Sequence, residues 1–134
     1  MKRLHLDANV VLRFLRDDDP RQSPAARPLI GEAAAGHLAL VLSVVTVAEI
    51  FYALRTSYKL PRADAAGLLQ DVVRSGAFTV EHEARLLAAL IRVRDANVDL
   101  GDAWLAATAA EAGAAVATFD ADFAAFTDVS RHAW

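Results

Sequence analysis

Apolar and polar positions alternate from Met1 to Leu6, which predicts a short strand. Val10, Val11, Phe14 and Leu15 then recur at helical spacing until Pro20 stops the run. Ser23 before Pro24 reads as an N-cap with proline at the first helical position, and Gly36 stands where that second helix would end. Leu38 to Val45 predicts a buried strand, followed by a helix through Tyr58 or Lys59. Pro61 opens another helix that closes near Gly76. Ala77 to Val80 reads as a short strand, and Glu81 to Ala96 as a helix with Leu86, Leu87, Leu90 and Ile91 on one face. A further helix starts at Asp99 or Leu100 and runs to Gly113. Then come an apolar run, Ala114 to Phe119, taken as a strand, a short helix from Asp120 to Phe126, and an edge strand near Val129. Apolar strands that alternate with helices predict a parallel sheet covered on both faces.

The chain has 134 residues, 55% of them hydrophobic, which suits one domain, 1–134, with a core of its own. It has no cysteine, so disulfides and thiolate metal sites are excluded and a reducing, cytoplasmic setting is expected. An acid at Asp7 interrupts the N-terminal segment before any signal-peptide core develops. The longest apolar stretch, Ala33 to Ala48, falls short of the ~20 residues that span a bilayer, so no membrane association is expected. The formal net charge of -3 argues against nucleic-acid binding through overall charge and leaves only local binding. All basic residues except Lys2 and Lys59 are arginine, which suits bidentate phosphate contacts but equally reflects coding bias.

Cations at helical spacing divide the acids into two groups. Glu81 has Arg85 four residues on, Asp71 has Arg74 three on and Asp95 has Arg92 three back, the pattern of solvated helix faces. Glu49 has only Val45, Thr46, Tyr52 and Ala53 at those distances. If buried, its carboxylate needs donors, a metal or a raised pKa, unless Glu49 closes a capping box on Thr46. Asp7 and Asp120 follow predicted strands, at the carboxyl ends where parallel sheets build sites, and Asp102 opens a helix with no cation in reach. Helix capping would account for any one of these aspartates. Four unpaired acids at element boundaries together point to a cluster. Like charges ~4 Å apart repel by ~1 to ~4 kcal/mol over water-like to protein-surface dielectrics, so a divalent ion is the natural counter-charge. Oxygen-only ligands favour Mg2+ or Mn2+ over zinc.

Four motifs resemble those of PIN-domain ribonucleases of the VapC toxin type, in order and over nearly the whole chain. They are Leu6-Asp7-Ala8-Asn9-Val10, Val47-Ala48-Glu49-Ile50, Asp102 through Ala109, and Thr118-Phe119-Asp120-Ala121-Asp122-Phe123. The resemblance implies a three-layer α/β fold with a central, mostly parallel sheet of four to five strands. It also implies one or two Mg2+ or Mn2+ ions held by Asp7, Glu49, Asp102 and Asp120 for hydrolysis of RNA phosphodiesters. Asp122 and Asp99 would be secondary, with Asn9 and Thr118 orienting carboxylates or metal-bound water. A VapB-like antitoxin and a homodimer come with the resemblance. Phe51, Tyr52, Leu54 and Tyr58 are interface candidates that core packing explains as readily.

Arg13 and Arg16 follow Asp7, and Arg55, Lys59 and Arg62 follow Glu49, so either set is a candidate RNA contact. Trp104 reads as a packing aromatic, and His5, His37, His82 and His132 as structural or exposed. A receiver domain would require a lysine after a late strand, and a haloacid-dehalogenase-like phosphatase a second acid at position 9, where Asn9 stands. The remaining alternative is a PIN-like scaffold that binds RNA or protein without chemistry.

Overall fold

The computed structural model describes residues 1–134. Three strands, β1 (Arg3–His5), β2 (Ala39–Leu42) and β3 (Thr79–Val80), form a parallel sheet in the order β1-β2-β3, with Leu4 opposite Leu40 and Leu42 opposite Val80. Between and after them lie α1 (Ala8–Arg16), α2 (Gln22–Ala34), α3 (Val44–Thr56), α4 (Arg62–Arg74), α5 (Glu83–Ala96) and α6 (Leu100–Ala112), then a 3₁₀ turn at Ala121–Ala125.

Successive side chains of a strand point to opposite faces, and Leu40, Val41 and Leu42 are all buried, so helices cover both faces of β2. That is the three-layer α/β arrangement expected from the sequence. One cluster of 34 buried residues joins the sheet to α3, α5 and α6 through Leu42, Ile50, Leu54, Leu90 and Ala106.

Each junction has a local cause. Asp7 caps α1 through Asn9 N–H, and Ser43 caps α3 through Thr46 N–H at 3.1 Å. Gly113, at φ 63°, ends α6 in the left-handed conformation that glycine adopts without strain.

Five expectations are corrected. The sheet has three strands rather than four or five. Ala114 to Phe119 buries only Val116, because its alanines offer little apolar surface, and its pairing shrinks to one parallel bridge between Val116 and Arg131. The strand expected near Val129 shrinks to the same bridge. The cap of α2 is not Ser23: Asp19 accepts from the N–H groups of Arg21 and Gln22, while the buried Ser23 hydroxyl accepts from Asp19 N–H at 3.2 Å. On α5 the buried stripe is Leu86, Ala89, Leu90 and Val93, with Leu87 half-buried and Ile91 exposed.

The central strand carries the tightest prediction. Leu42→Ala should lower stability by about 2–5 kcal/mol, the usual consequence of emptying a fully buried leucine site. Urea unfolding should show the lowered midpoint with an unchanged slope.

Candidate functional site

The carboxyl end of the parallel sheet positions the first two acids. β1 runs into Leu6, whose N–H donates to Val41 O at 3.0 Å, and the chain then turns at Asp7 into α1. β2 leads through Ser43 into α3, which carries Glu49. Asp102 lies in the first turn of α6, and Asp120 caps the 3₁₀ turn.

Asp102 is half-buried, and its pKa is raised above the ordinary carboxylate value. Burial is the largest cause, followed by the charges of Asp120, Asp99 and Asp122, with Arg62 pulling the other way. The fold therefore brings Asp99, Asp102, Asp120 and Asp122 into one electrostatic neighbourhood. Neither Asp7 nor Glu49 contributes to the shift at Asp102. Arg62 is the local cation, and its Nε donates to Asp99 Oδ1 at 3.0 Å. Asp7, Glu49, Asp102, Asp120 and Asp122 take part in none of the six ion pairs.

Capping, the alternative reading for the aspartates, is realised at two of them. Asp7 Oδ1 accepts from Asn9 N–H at 3.2 Å, and Asp120 Oδ1 from Asp122 N–H at 2.8 Å. Each cap occupies one oxygen and leaves Oδ2 without a protein hydrogen bond. Thr118 bears on Asp120 directly, its hydroxyl oxygen accepting Asp120 N–H at 2.9 Å. Asn9 is exposed and lines a groove of ≈ 450 Å³ between α1 and α2 together with Asp7, Arg13 and Gln22.

Glu49 departs from its expected setting. It is exposed midway along α3, so no burial penalty arises. No capping box forms, since Ser43 starts the helix three residues ahead of Thr46. The pairings expected along single helices give way to longer-range ones: Arg85 holds Glu111 rather than Glu81, and Arg92 holds Asp128 rather than Asp95.

The candidate RNA contacts differ in freedom. Arg13 donates to Gln22 and Tyr58 and pairs with Asp18, and Arg55 donates to Leu60 O. Arg16 lies over the Tyr58 ring at 5.2 Å, and Lys59 is exposed. Phe51 and Leu54 are core residues and Tyr58 is tied to Asp18, so Tyr52 alone of the four interface candidates is exposed. Trp104 packs under Arg85 and against His82, and all four histidines are exposed.

No three Asp, Glu or His side chains stand close enough together to enclose a metal ion. The donor set still fits a hard cation. Mg2+ commonly keeps several waters and takes only one or two carboxylates, and Asp102 with Asp120 supplies that number where negative charge is already in excess.

The raised pKa has a consequence for stability. The folded Asp102 carboxyl holds its proton more tightly than the unfolded chain does. Stability therefore falls as pH rises through the window between the ordinary carboxylate range and the raised folded value. Metal-free Asp102→Asn should melt above the parent protein at neutral pH. Thermal melts across pH should show that advantage vanishing in acid, where the parent carboxyl is also neutral.

No curated protein matches the chain. The family model for the PIN domain matches residues 4–129, a span that includes the strand ends, α3, α6 and the turn bearing all four acids. The chain therefore belongs to the PIN-domain family.

Proposed function

We propose that this protein is a metal-dependent endoribonuclease, the toxin of a VapBC-type pair, that hydrolyses RNA phosphodiester bonds with Mg2+ or Mn2+. The observation that carries the reading is the raised pKa of Asp102 amid Asp120, Asp99 and Asp122 with a single arginine nearby. Burial and crowding together disfavour the ionised carboxylate, a bound cation would offset that cost as a proton does, and nuclease chemistry is the common use of such a cation in this family.

Asp102 and Asp120 would hold the ion, with Asp7 and Glu49 completing the acidic rim toward substrate. One or two bound ions would supply a water of lowered pKa and screen the charge developing on the leaving oxygen. The chain's own part is positional. Thr118 fixes the Asp120 backbone, and the cap bonds at Asp7 and Asp120 hold one oxygen of each carboxylate while the other stays available. No cysteine is present, which accords with attack by a metal-bound water rather than by a protein nucleophile. Asn9, Asp99 and Asp122 act around this centre, and Arg16 and Lys59 are the cations freest to meet phosphate.

The proposal includes two protein partners, a VapB-like antitoxin and a second copy of the chain. Val45 and Tyr52, exposed on one side of α3, together with Leu105 on α6, offer apolar surface for either. A cytoplasmic location accords with the absence of any helix long and apolar enough to cross a membrane.

A catalytically silent scaffold is the second reading, favoured by the capping roles of Asp7 and Asp120 and by the lack of a ready-made three-ligand group. Cleavage of single-stranded RNA separates the two. With Mn2+ the parent protein should cut. Asp102→Asn and Asp120→Asn should each lose at least about a hundredfold in rate, equivalent to about 3 kcal/mol of transition-state stabilisation. Absence of metal-dependent cutting by the pure parent protein establishes the scaffold.

Millimolar Mn2+ should also raise the melting temperature, because a ligand that prefers the native state stabilises it, and Asp102→Asn should blunt the rise. An undiminished rise in single variants at all four acids would remove the proposed site.

A further inference from the structure

Immediately before Asp120 the fold presents an aromatic stack to solvent. Phe119 and Trp134 lie with ring centroids 4.4 Å apart and planes 17° from parallel, yet they are 87% and 72% exposed. The stack is held in place. Trp134 Nε1 donates to Thr118 O at 3.0 Å, and His132 meets the indole edge-on at 4.8 Å. The segment below is tied by Val116 N–H to Ser130 O and His132 N–H to Val116 O, both at 2.8 Å. Phe123 and Phe126, only a few residues on, are buried, so the same stretch of chain both fills the core and keeps one aromatic pair outside it.

We infer that the outer face of the Phe119–Trp134 stack binds an unpaired nucleobase of the RNA, seating the strand beside Asp120. The inference rests on the ribonuclease reading and adds to it a site for the base next to the reacting phosphate. Three observations favour RNA over a protein surface. The stack is anchored to Thr118, whose hydroxyl also holds the Asp120 backbone, so platform and carboxylate are parts of one unit. Its sequence neighbours are small or polar, with exposed Ala117, Ala121 and Ser130 where a protein interface would carry large aliphatic residues. Arg131 is exposed and takes part in no ion pair, which leaves a cation for the phosphate of a stacked nucleotide. Every base has a π-face, so such a platform grips single strands without reading sequence. Bases within a duplex are already stacked and cannot reach it.

The test is equilibrium binding of a fluorescein-labelled single-stranded oligouridylate and of a duplex RNA, both in EDTA so that no cutting intervenes. Phe119→Leu keeps apolar volume but removes the π-face, and at so exposed a position it leaves the fold intact. It should weaken single-strand binding roughly five- to a hundredfold, as should Trp134→Ala, with duplex binding unchanged. Phe119→Tyr should retain parent affinity. Because the assay contains no metal, failure of the nuclease reading would leave these affinities as stated while Mn2+-dependent cutting failed. Parent-like single-strand binding by Phe119→Leu overturns the inference, and so does an equal loss on duplex. Dissociation of a dimer by Phe119→Leu with RNA affinity unchanged overturns it too and assigns the stack to a contact between two copies.

Discussion

Burial of the Asp102 carboxyl among other carboxylates at the start of α6 is the constraint on which the proposed site depends. Asp102 is half-buried there, with Asp120, Asp99 and Asp122 near enough to make its ionisation harder, and Arg62 is spent on Asp99. Burial and these like charges together outweigh the pull of Arg62, so the charged form of Asp102 is disfavoured. Either a proton on Asp102 or a cation bound beside it relieves that cost.

The scaffold bears that load through burial elsewhere. β2 is covered on both faces, and Leu42, Ile50, Leu54 and Leu90 are completely buried in one continuous core. Parallel strands place their carboxyl ends on one side, which brings the turn at Asp7 and the start of α3 to the same edge of the sheet. Asp120 reaches the neighbourhood of Asp102 by a different device. A single bridge at Val116, a threonine hydroxyl and a 3₁₀ turn hold it where a full strand was expected. The acid that most affects Asp102 is thus carried by the least regular part of the fold, and the aromatic stack of Phe119 and Trp134 is built on that same segment.

Much of this was legible in the sequence because it is written in local chemistry. The order of six helices, the strand at Leu40 to Leu42, the caps at Asp7 and Asp120 and the stop at Gly113 all follow from patterns a few residues long. What was not legible depends on contacts between distant residues. Nothing near Asp99 announces Arg62, 37 positions away, and nothing near Arg85 announces Glu111. Alanine-rich Ala114 to Phe119 counted as apolar but had little surface to bury, so it failed as a strand. Glu49 lies among apolar neighbours in sequence and yet faces solvent, because a helix turns one face outward whatever flanks it along the chain. Phe119 and Trp134 meet across 15 positions and gave no signal as a pair.

The account depends on Asp102 being a place where a divalent ion is bound, and calorimetric titration of Mn2+ into the purified protein addresses that directly. The parent chain and an Asp64→Asn control, altered at an exposed acid in the first turn of α4, should show the same saturable binding heat, and Asp102→Asn should bind markedly more weakly. Equal binding by all three, or by none, would contradict the account.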